Sequence, residues 1–270
     1  LWVDPLVPEL LVLPAGCEMH QHVGVQNAVL ILQDKASCLS PAALDPPIGA
    51  LVVDATAAPG NKSTMLAARC HDPETGVGKV IACERDSRRA KTLEQRAALA
   101  AGDAVQVVQG DFLELDPTTK PFCDATHILL DPSCSGSGMV NQGAPEEREE
   151  QEPLSAAEGG PGDAGVSRPG DTPRLRALAA MQLKLLCHAL SFPKVKTVVY
   201  STCSVHPIED EIVVSAALKR KEVQERQWRV APALPNWKMR GLPIVPFAQH
   251  LVRAGPEVMT NGFFVARLER

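Results

Sequence analysis

No CxxC pair occurs in this sequence, and none of its eight cysteines (positions 17, 38, 70, 83, 123, 134, 187 and 203) sits with histidine at zinc-ligand spacing. A disulfide framework and a metal site are therefore not expected, and most of these thiols read as small buried apolar residues of a reducing compartment. No apolar run approaches the roughly 20 residues that span a bilayer, and the start lacks the basic-then-apolar order of a signal peptide. The chain is expected to be intracellular, away from membranes, and to act as a monomer. It opens on Leu1 rather than Met, so a further N-terminal portion is expected to precede it. The dinucleotide fingerprint GxGxxG and the P-loop GxxxxGK[ST] are both missing, which argues against NAD and ATP. Aromatic residues are sparse, with one Tyr, six Phe and three Trp, leaving few platforms on which single-stranded bases could stack. A flipped base would instead lie between aliphatic side chains and the loops carrying Pro132 and Pro207.

An excess of positive charge is missing too: the formal net charge is −5. The deficit is local. Residues Ala144 to Pro173 hold eight acids and two arginines, and without them 24 acidic residues face 25 basic ones. A nucleic-acid partner would have to be met by a local patch, not by the field of the whole molecule. The same stretch has almost no large apolar side chain to offset its ordering entropy, so residues 144–173 are expected to be a disordered insertion within one fold.

What is present is a regular alternation of β-branched runs and helical patterns, the mark of a parallel sheet covered by helices. The expected strands are Leu51–Ala55, Lys79–Glu84, Ala104–Gln109, Thr126–Asp131, Lys196–Thr202 and the closing Gly262–Leu268. The expected helices start at Lys62 and cover Ser87–Ala101, Leu175–Leu190 and Ile208–Lys221. This is an α/β fold with a mostly parallel central sheet and helices on both faces. Residues 1–45 read as a lead-in segment packed on a core formed by residues 46–270.

Chemistry is expected at the carboxyl ends of the strands. The first strand runs into DATAAPGNKS, Asp54 to Ser63, where small residues and Gly60 let a ligand approach the backbone at a helix N-terminus. The second ends in Glu84, suitably placed for ribose hydroxyls, and the third leads to Asp111, where a carboxylate can meet an adenine amino group. Asp54, Glu84 and Asp111 at successive strand ends are best explained by one adenosine-containing ligand.

Two later strands deliver DPSCSGSG, Asp131 to Gly138, and YSTCSVHP, Tyr200 to Pro207, each with a cysteine just past the strand. Cys134 and Cys203 are expected to flank one crevice. A thiolate that attacks carbon 6 of a cytosine makes carbon 5 nucleophilic, and a second group must then remove the carbon 5 proton. An acid such as Asp131 would stabilise protonation of the ring nitrogen, with Lys62 holding that acid in place.

DATAAPGNKS, ACERDSRR, QGDF, DPSCSGSG, YSTCS and GFFVARL, with LILQDKAS (Leu30 to Ser37) ahead of them, resemble in order the motifs of the NOP/Sun (NOL/NOP/Sun-domain) family of RNA cytosine-5 methyltransferases. The DPSCSGSG form looks most like the branch that modifies large-subunit rRNA. The resemblance implies a Rossmann-like class I methyltransferase fold with an antiparallel strand near the C-terminus, S-adenosylmethionine as cofactor, ribosomal RNA as partner, and a nuclear, nucleolar location. It implies Cys203 as nucleophile, Cys134 for product release, Asp131 at the target base and Lys62 nearby. It also implies a cofactor site lined by Asp54, Ala57, Ala58, Pro59, Gly60, Asn61, Lys62, Ser63, Glu84, Arg89, Asp111 and Asp131. Asn61 stands where the family loop usually has a second glycine; Asn tolerates a left-handed backbone better than most residues, so on this reading binding would be weakened without being lost. A cofactor-binding scaffold in ribosome assembly is the competing reading. A methyltransferase acting on an amine nitrogen or a small molecule fits less well, because it needs no two cysteines at the crevice and amino-methylating enzymes usually carry [DN]PP[YF] where this chain has DPSC.

Overall fold

The computed structural model describes residues 1–14, 16–139 and 172–270. The chain opens with a short antiparallel ribbon, β1 (Trp2–Val3) and β2 (Leu11–Val12), followed by helices α1 (Val23–Gln26) and α2 (Lys35–Leu44). Then come β3 (Leu51–Asp54), α3 (Asn61–Cys70), β4 (Lys79–Glu84), α4 (Ser87–Ala100), β5 (Val105–Gln109) and β6 (His127–Leu130). The later part holds α5 (Pro173–Ala189), β7 (Thr197–Thr202), α6 (Glu211–Leu218), α7 (Lys221–Glu225), β8 (Arg229–Ala231), β9 (Val252–Ala254) and β10 (Phe263–Glu269).

The large sheet has the order β5-β4-β3-β6-β7-β10-β8, with β9 also pairing β10. Pairs from β5 to β7 are parallel, and β10 runs antiparallel to β7, β8 and β9. Alternation along the strands divides the core into two layers, because successive side chains leave opposite faces. Val52, Leu129, Val199 and Val265 join α2, α3 and α4 on one face. Val53, Ile128, Leu130, Val198 and Tyr200 join α5 and α6 on the other. Each such large apolar side chain taken out of water contributes about 1.5–3 kcal/mol. The mostly parallel α/β sheet, with helices on both faces and an antiparallel strand near the C-terminus, is the fold expected.

Several boundaries differ from expectation. Ala104 closes a 3-10 turn, Gly102–Ala104, before β5 begins. α3 starts at Asn61, one residue early. The helix expected over residues 208–221 is shorter, α6 running only from Glu211 to Leu218, because Glu209 and Asp210 ahead of it turn inward to grip other loops, and α7 begins at Lys221. Of the acidic stretch, residues 144–171 lie outside the described residues, but Thr172 caps α5 through Leu175 N and Pro173 opens that helix. The expected insertion therefore extends two residues too far. α2 escaped the sequence reading because nearly all of it is buried, which leaves no polar face and no period to detect. Asp34 caps it by accepting from Ala36 N, and it packs on β7 and β10.

Candidate active site

The chain starts in mid-sheet at β3, runs outward to β4 and β5, then returns to the other side of β3 as β6. That reversal makes a switch point, where open α/β sheets leave a crevice beyond the carboxyl ends of their strands. Asp54 closes β3 on one side of it, and Asp131 follows β6 on the other. A cavity of about 260 Å3 lies there, lined by Leu32, Gln33, Asp34, Ser37, Asp54, Thr56 to Pro59, Asn61, Lys62 and Asp131.

Gly60 carries the backbone turn between β3 and α3 with φ of +108°, and a Cβ there would sit 2.8 Å from Leu93 Cδ1. Asn61 is not in the left-handed region: it is the first residue of α3. Its Nδ2 donates to Leu32 O at 3.3 Å, and its Oδ1 accepts from Arg96 Nη1 at 3.3 Å. The expectation of a left-handed Asn61 is corrected, because Gly60 takes the positive φ and leaves Asn61 helical.

Lys62 Nζ pairs with Asp131 Oδ2 at 2.7 Å, and Ser201 Oγ donates to Asp131 Oδ1 at 2.7 Å. Burial works to lower the pKa of the Lys62 ammonium, but the adjoining Asp131 carboxylate outweighs it and holds that pKa above its ordinary value. Asp54, fully enclosed, accepts from Ser63 Oγ at 2.7 Å. Burial pushes its carboxyl up to about 6, against the pull of Ser63 and Lys62.

Cys134 Sγ and Cys203 Sγ are 3.1 Å apart, within hydrogen-bond distance for sulfur. The hydrogen bond from Cys134 holds the Cys203 thiol below its ordinary range; Lys62 helps, while burial and Asp131 oppose. That same bond, then burial, pushes the Cys134 thiol up, so of the two it is Cys203 that ionises more readily. Elsewhere burial drives the thiols of Cys38 and Cys70 up to about 12 and about 11. The loops bearing the pair are clasped from outside: Gly138 N donates to Cys203 O at 2.9 Å, and Gly262 N donates to Gly138 O at 2.8 Å.

The cavity thus gathers Asp54, Ala57, Ala58, Pro59, Asn61, Lys62 and Asp131, with Gly60 and Ser63 directly behind. Glu84 closes the neighbouring strand β4 and Asp111 follows β5, both outside its lining. Glu84 Oε1 accepts from Asp86 N, and Asp111 accepts from Leu113 N as a turn cap. Arg89 reaches the loop from behind, donating to Ala58 O at 2.9 Å while its other nitrogen lies 3.7 Å from Glu84. Sequence reasoning missed Gln33, Thr56 and Ser201. Gln33 is the informative one: its Nε2 is buried with no acceptor among the described residues. A nucleoside with a charged amino-acid tail fits this donor set, because Gln33 and the loop amides supply hydrogen-bond donors and the strand-end acids supply acceptors. No group of acids, histidines or cysteines among the described residues could hold a metal, and no helix there is long and apolar enough to cross a membrane.

The family described as 16S rRNA methyltransferase RsmB/F matches residues 41–157 and 168–269. A mouse 28S rRNA (cytosine-C(5))-methyltransferase is 41% identical over 99% of this chain and 52% of its own length. The 25S rRNA (cytosine-C(5))-methyltransferase NSUN5 of Arabidopsis thaliana is 43% identical over 99% of this chain and 44% of its own. The chain spans about half the length of these relatives. In fold it is similar to a methyltransferase homologue from Pyrococcus horikoshii, with a TM-score of 0.71 and 22% identity over 94% of this chain and 72% of that one. NSun6 from the same organism, solved with SFG, matches with a TM-score of 0.65 and 20% identity over 94% of this chain and 56% of that one.

Proposed function

The chain belongs to the RsmB/F family of rRNA methyltransferases, and on that premise we propose that it catalyses S-adenosylmethionine-dependent methylation of carbon 5 of a cytosine in large-subunit ribosomal RNA. The observation that carries this reading is the 3.1 Å approach of Cys134 and Cys203 beside the Lys62–Asp131 ion pair. Methylation of an amine nitrogen has no use for two thiols in contact. In this reading residues 46–270 form the catalytic unit, residues 1–45 lead into it, and the protein works as a monomer in the nucleolus, where ribosomal RNA is made.

Cys203, as thiolate, attacks carbon 6 of the cytosine, and a new S–C6 bond pushes the ring electrons toward carbon 5. The ring nitrogen takes a proton from water, and Asp131, held in place by Lys62 and Ser201, would accept a hydrogen bond from the protonated nitrogen and stabilise its charge. S-adenosylmethionine, when bound, supplies an electrophilic methyl group for carbon 5. Asp54, Ala57 to Ser63 and Gln33 would hold its amino-acid end, and Glu84 and Asp111 its nucleoside, with Arg89 bracing the loop at Ala58. Once the sulfur of Cys203 is committed to carbon 6, its charge no longer raises the Cys134 thiol. Cys134 then gives its proton to water and, as thiolate, takes the carbon 5 proton; the electrons of that C–H bond re-form the C5=C6 bond, the S–C6 bond breaks with Cys203 leaving as thiolate, and the ring nitrogen returns its proton to water.

The test is to incubate wild type, Cys134→Ala and Cys134→Ala/Cys203→Ala with S-adenosylmethionine and unmodified large-subunit RNA, then run denaturing gels. A protein–RNA adduct that accumulates with Cys134→Ala and disappears in the double variant is the expected result. No adduct in any variant, with binding of the methyl donor intact, overturns the reading in favour of a cofactor-binding scaffold.

A further inference from the structure

We propose that Glu209 is the positioning residue of the two-thiol centre, its buried carboxylate tying the Cys134 loop to the Cys203 turn so that the two sulfurs meet. The inference rests on the methyltransferase reading above and deepens it. β6 and β7 are neighbouring parallel strands, which brings their ends to within roughly 5 Å. The loops beyond them leave the sheet, however, and nothing in strand pairing fixes the distance between side chains four residues past one end and one residue past the other.

Glu209 supplies that restraint. It is fully enclosed. Its Oε1 accepts from Ser135 N at 3.0 Å, immediately after Cys134, and its Oε2 accepts from Ser204 Oγ at 2.6 Å, immediately after Cys203. Gln182 Nε2, on α5, donates both to Glu209 Oε1 and to Ser133 O, each at 3.0 Å, so Cys134 is gripped on both sides. The next acid, Asp210, accepts from Thr202 Oγ1 at 2.6 Å, gripping the residue before Cys203, and Arg253 pairs with Asp210 and Glu211 at 2.9 and 2.7 Å. Tyr200 completes the brace by donating to Glu209 O at 2.5 Å. Glu209 does not line the cavity that would hold the methyl donor; it acts on the two cysteines through Ser135 and Ser204, and Gln182 and Tyr200 hold it in place.

The groups facing the sulfurs are Lys62 and Asp131 on the cavity side and Glu209 behind Cys134. Loss of Glu209 lets the sulfurs separate and removes the Cys134 hydrogen bond that stabilises the Cys203 thiolate. A residue with a purely structural role would lower the melting temperature without altering that thiolate.

The experiment is alkylation of the reduced full chain by iodoacetamide as a function of pH, with the Cys203 peptide quantified by mass spectrometry. Below the melting temperature of each variant, Glu209→Ala should move the Cys203 midpoint upward by about one unit, slowing alkylation roughly tenfold at neutral pH. Glu209→Gln keeps the length and one acceptor, so it should stay close to wild type, whereas Glu209→Asp, a methylene shorter, should behave like Ala. Should Glu209→Ala not fold, Ser204→Ala removes one of the same ties and should shift the midpoint in the same direction. A wild-type profile in Glu209→Ala or in Ser204→Ala, or a Gln variant as impaired as Ala, overturns the proposal. The assay needs neither RNA nor methyl donor. A profile that responds to Glu209 in a protein whose Cys134→Ala form traps no RNA therefore keeps the positioning role and removes the RNA reading.

Discussion

Lys62 and Asp131 reach each other across the switch point of the sheet, the ammonium of α3 lying 2.7 Å from the carboxylate that follows β6. The pair joins the loop expected to hold the methyl donor to the loop that carries Cys134. Lys62 also lies 5.6 Å from the centre of the Phe263 ring, at the start of β10, so one ammonium touches three elements at the crevice.

Replacing Lys62 by Met should therefore damage chemistry more than binding. Asp131 would lose its partner, and Cys203 would lose one of the charges favouring its thiolate. Methyl transfer measured with saturating donor and RNA should fall by about 10²–10³-fold, the range for removing one charged stabiliser of a transition state. The KM for RNA should change only a few-fold; an equal loss in KM with kcat intact would mean that Lys62 only binds substrate.

The buried Asp54 makes stability depend on pH in an unusual direction. Its folded pKa, raised to about 6, exceeds the ordinary value of 3.8, so the native state holds this proton more tightly than the unfolded chain. The resulting stabilisation is full below about pH 4 and is lost as pH rises through about 6, at a cost of about 3 kcal/mol at pH 8. Asp54→Asn can still accept from Ser63 but carries no charge. Relative to wild type, its melting temperature should rise by several degrees at pH 8 and hardly at all near pH 4. A shift that is the same at both pH values would show that the carboxyl ionises freely.

Gly138 and Gly262 press backbone against backbone beside the cysteine loops. A Cβ on Gly138 would lie 2.2 Å from Gly262 O, where no flexible side chain can yield. Gly138→Ala should cost about 1–3 kcal/mol of stability in urea unfolding, as overpacking does. Because Gly138 N donates to Cys203 O, the same variant should lose methyl transfer even at temperatures where it remains folded. Full activity in the folded variant would show that the loops tolerate displacement.

The sequence by itself determined the parallel sheet, whose β-branched runs have no other stable use, and most of the residues at its carboxyl edge. Cys134, Cys203, Asp131 and Lys62 were legible because each follows a strand or opens a helix within a compact motif. Asn61 was misjudged because the backbone dihedral of one loop residue depends on which neighbour takes the turn, and Gly60 takes it. Gln33 was legible only as part of the LILQDKAS motif, without a role of its own, and Glu209 was not legible at all. Gln33 lies in the segment leading into α2, a helix whose near-complete burial erases its period. Glu209 belongs to an acidic run, Glu209 to Glu211, that reads as the solvated start of a helix. Only tertiary structure turned those acids inward, because Ser135, Ser204, Gln182, Thr202 and Arg253, drawn from elsewhere along the chain, supply the donors that make their burial tolerable. The order of residues decided which groups stand at the crevice; the distance between two sulfurs was left to hydrogen bonds between segments that the sequence keeps far apart.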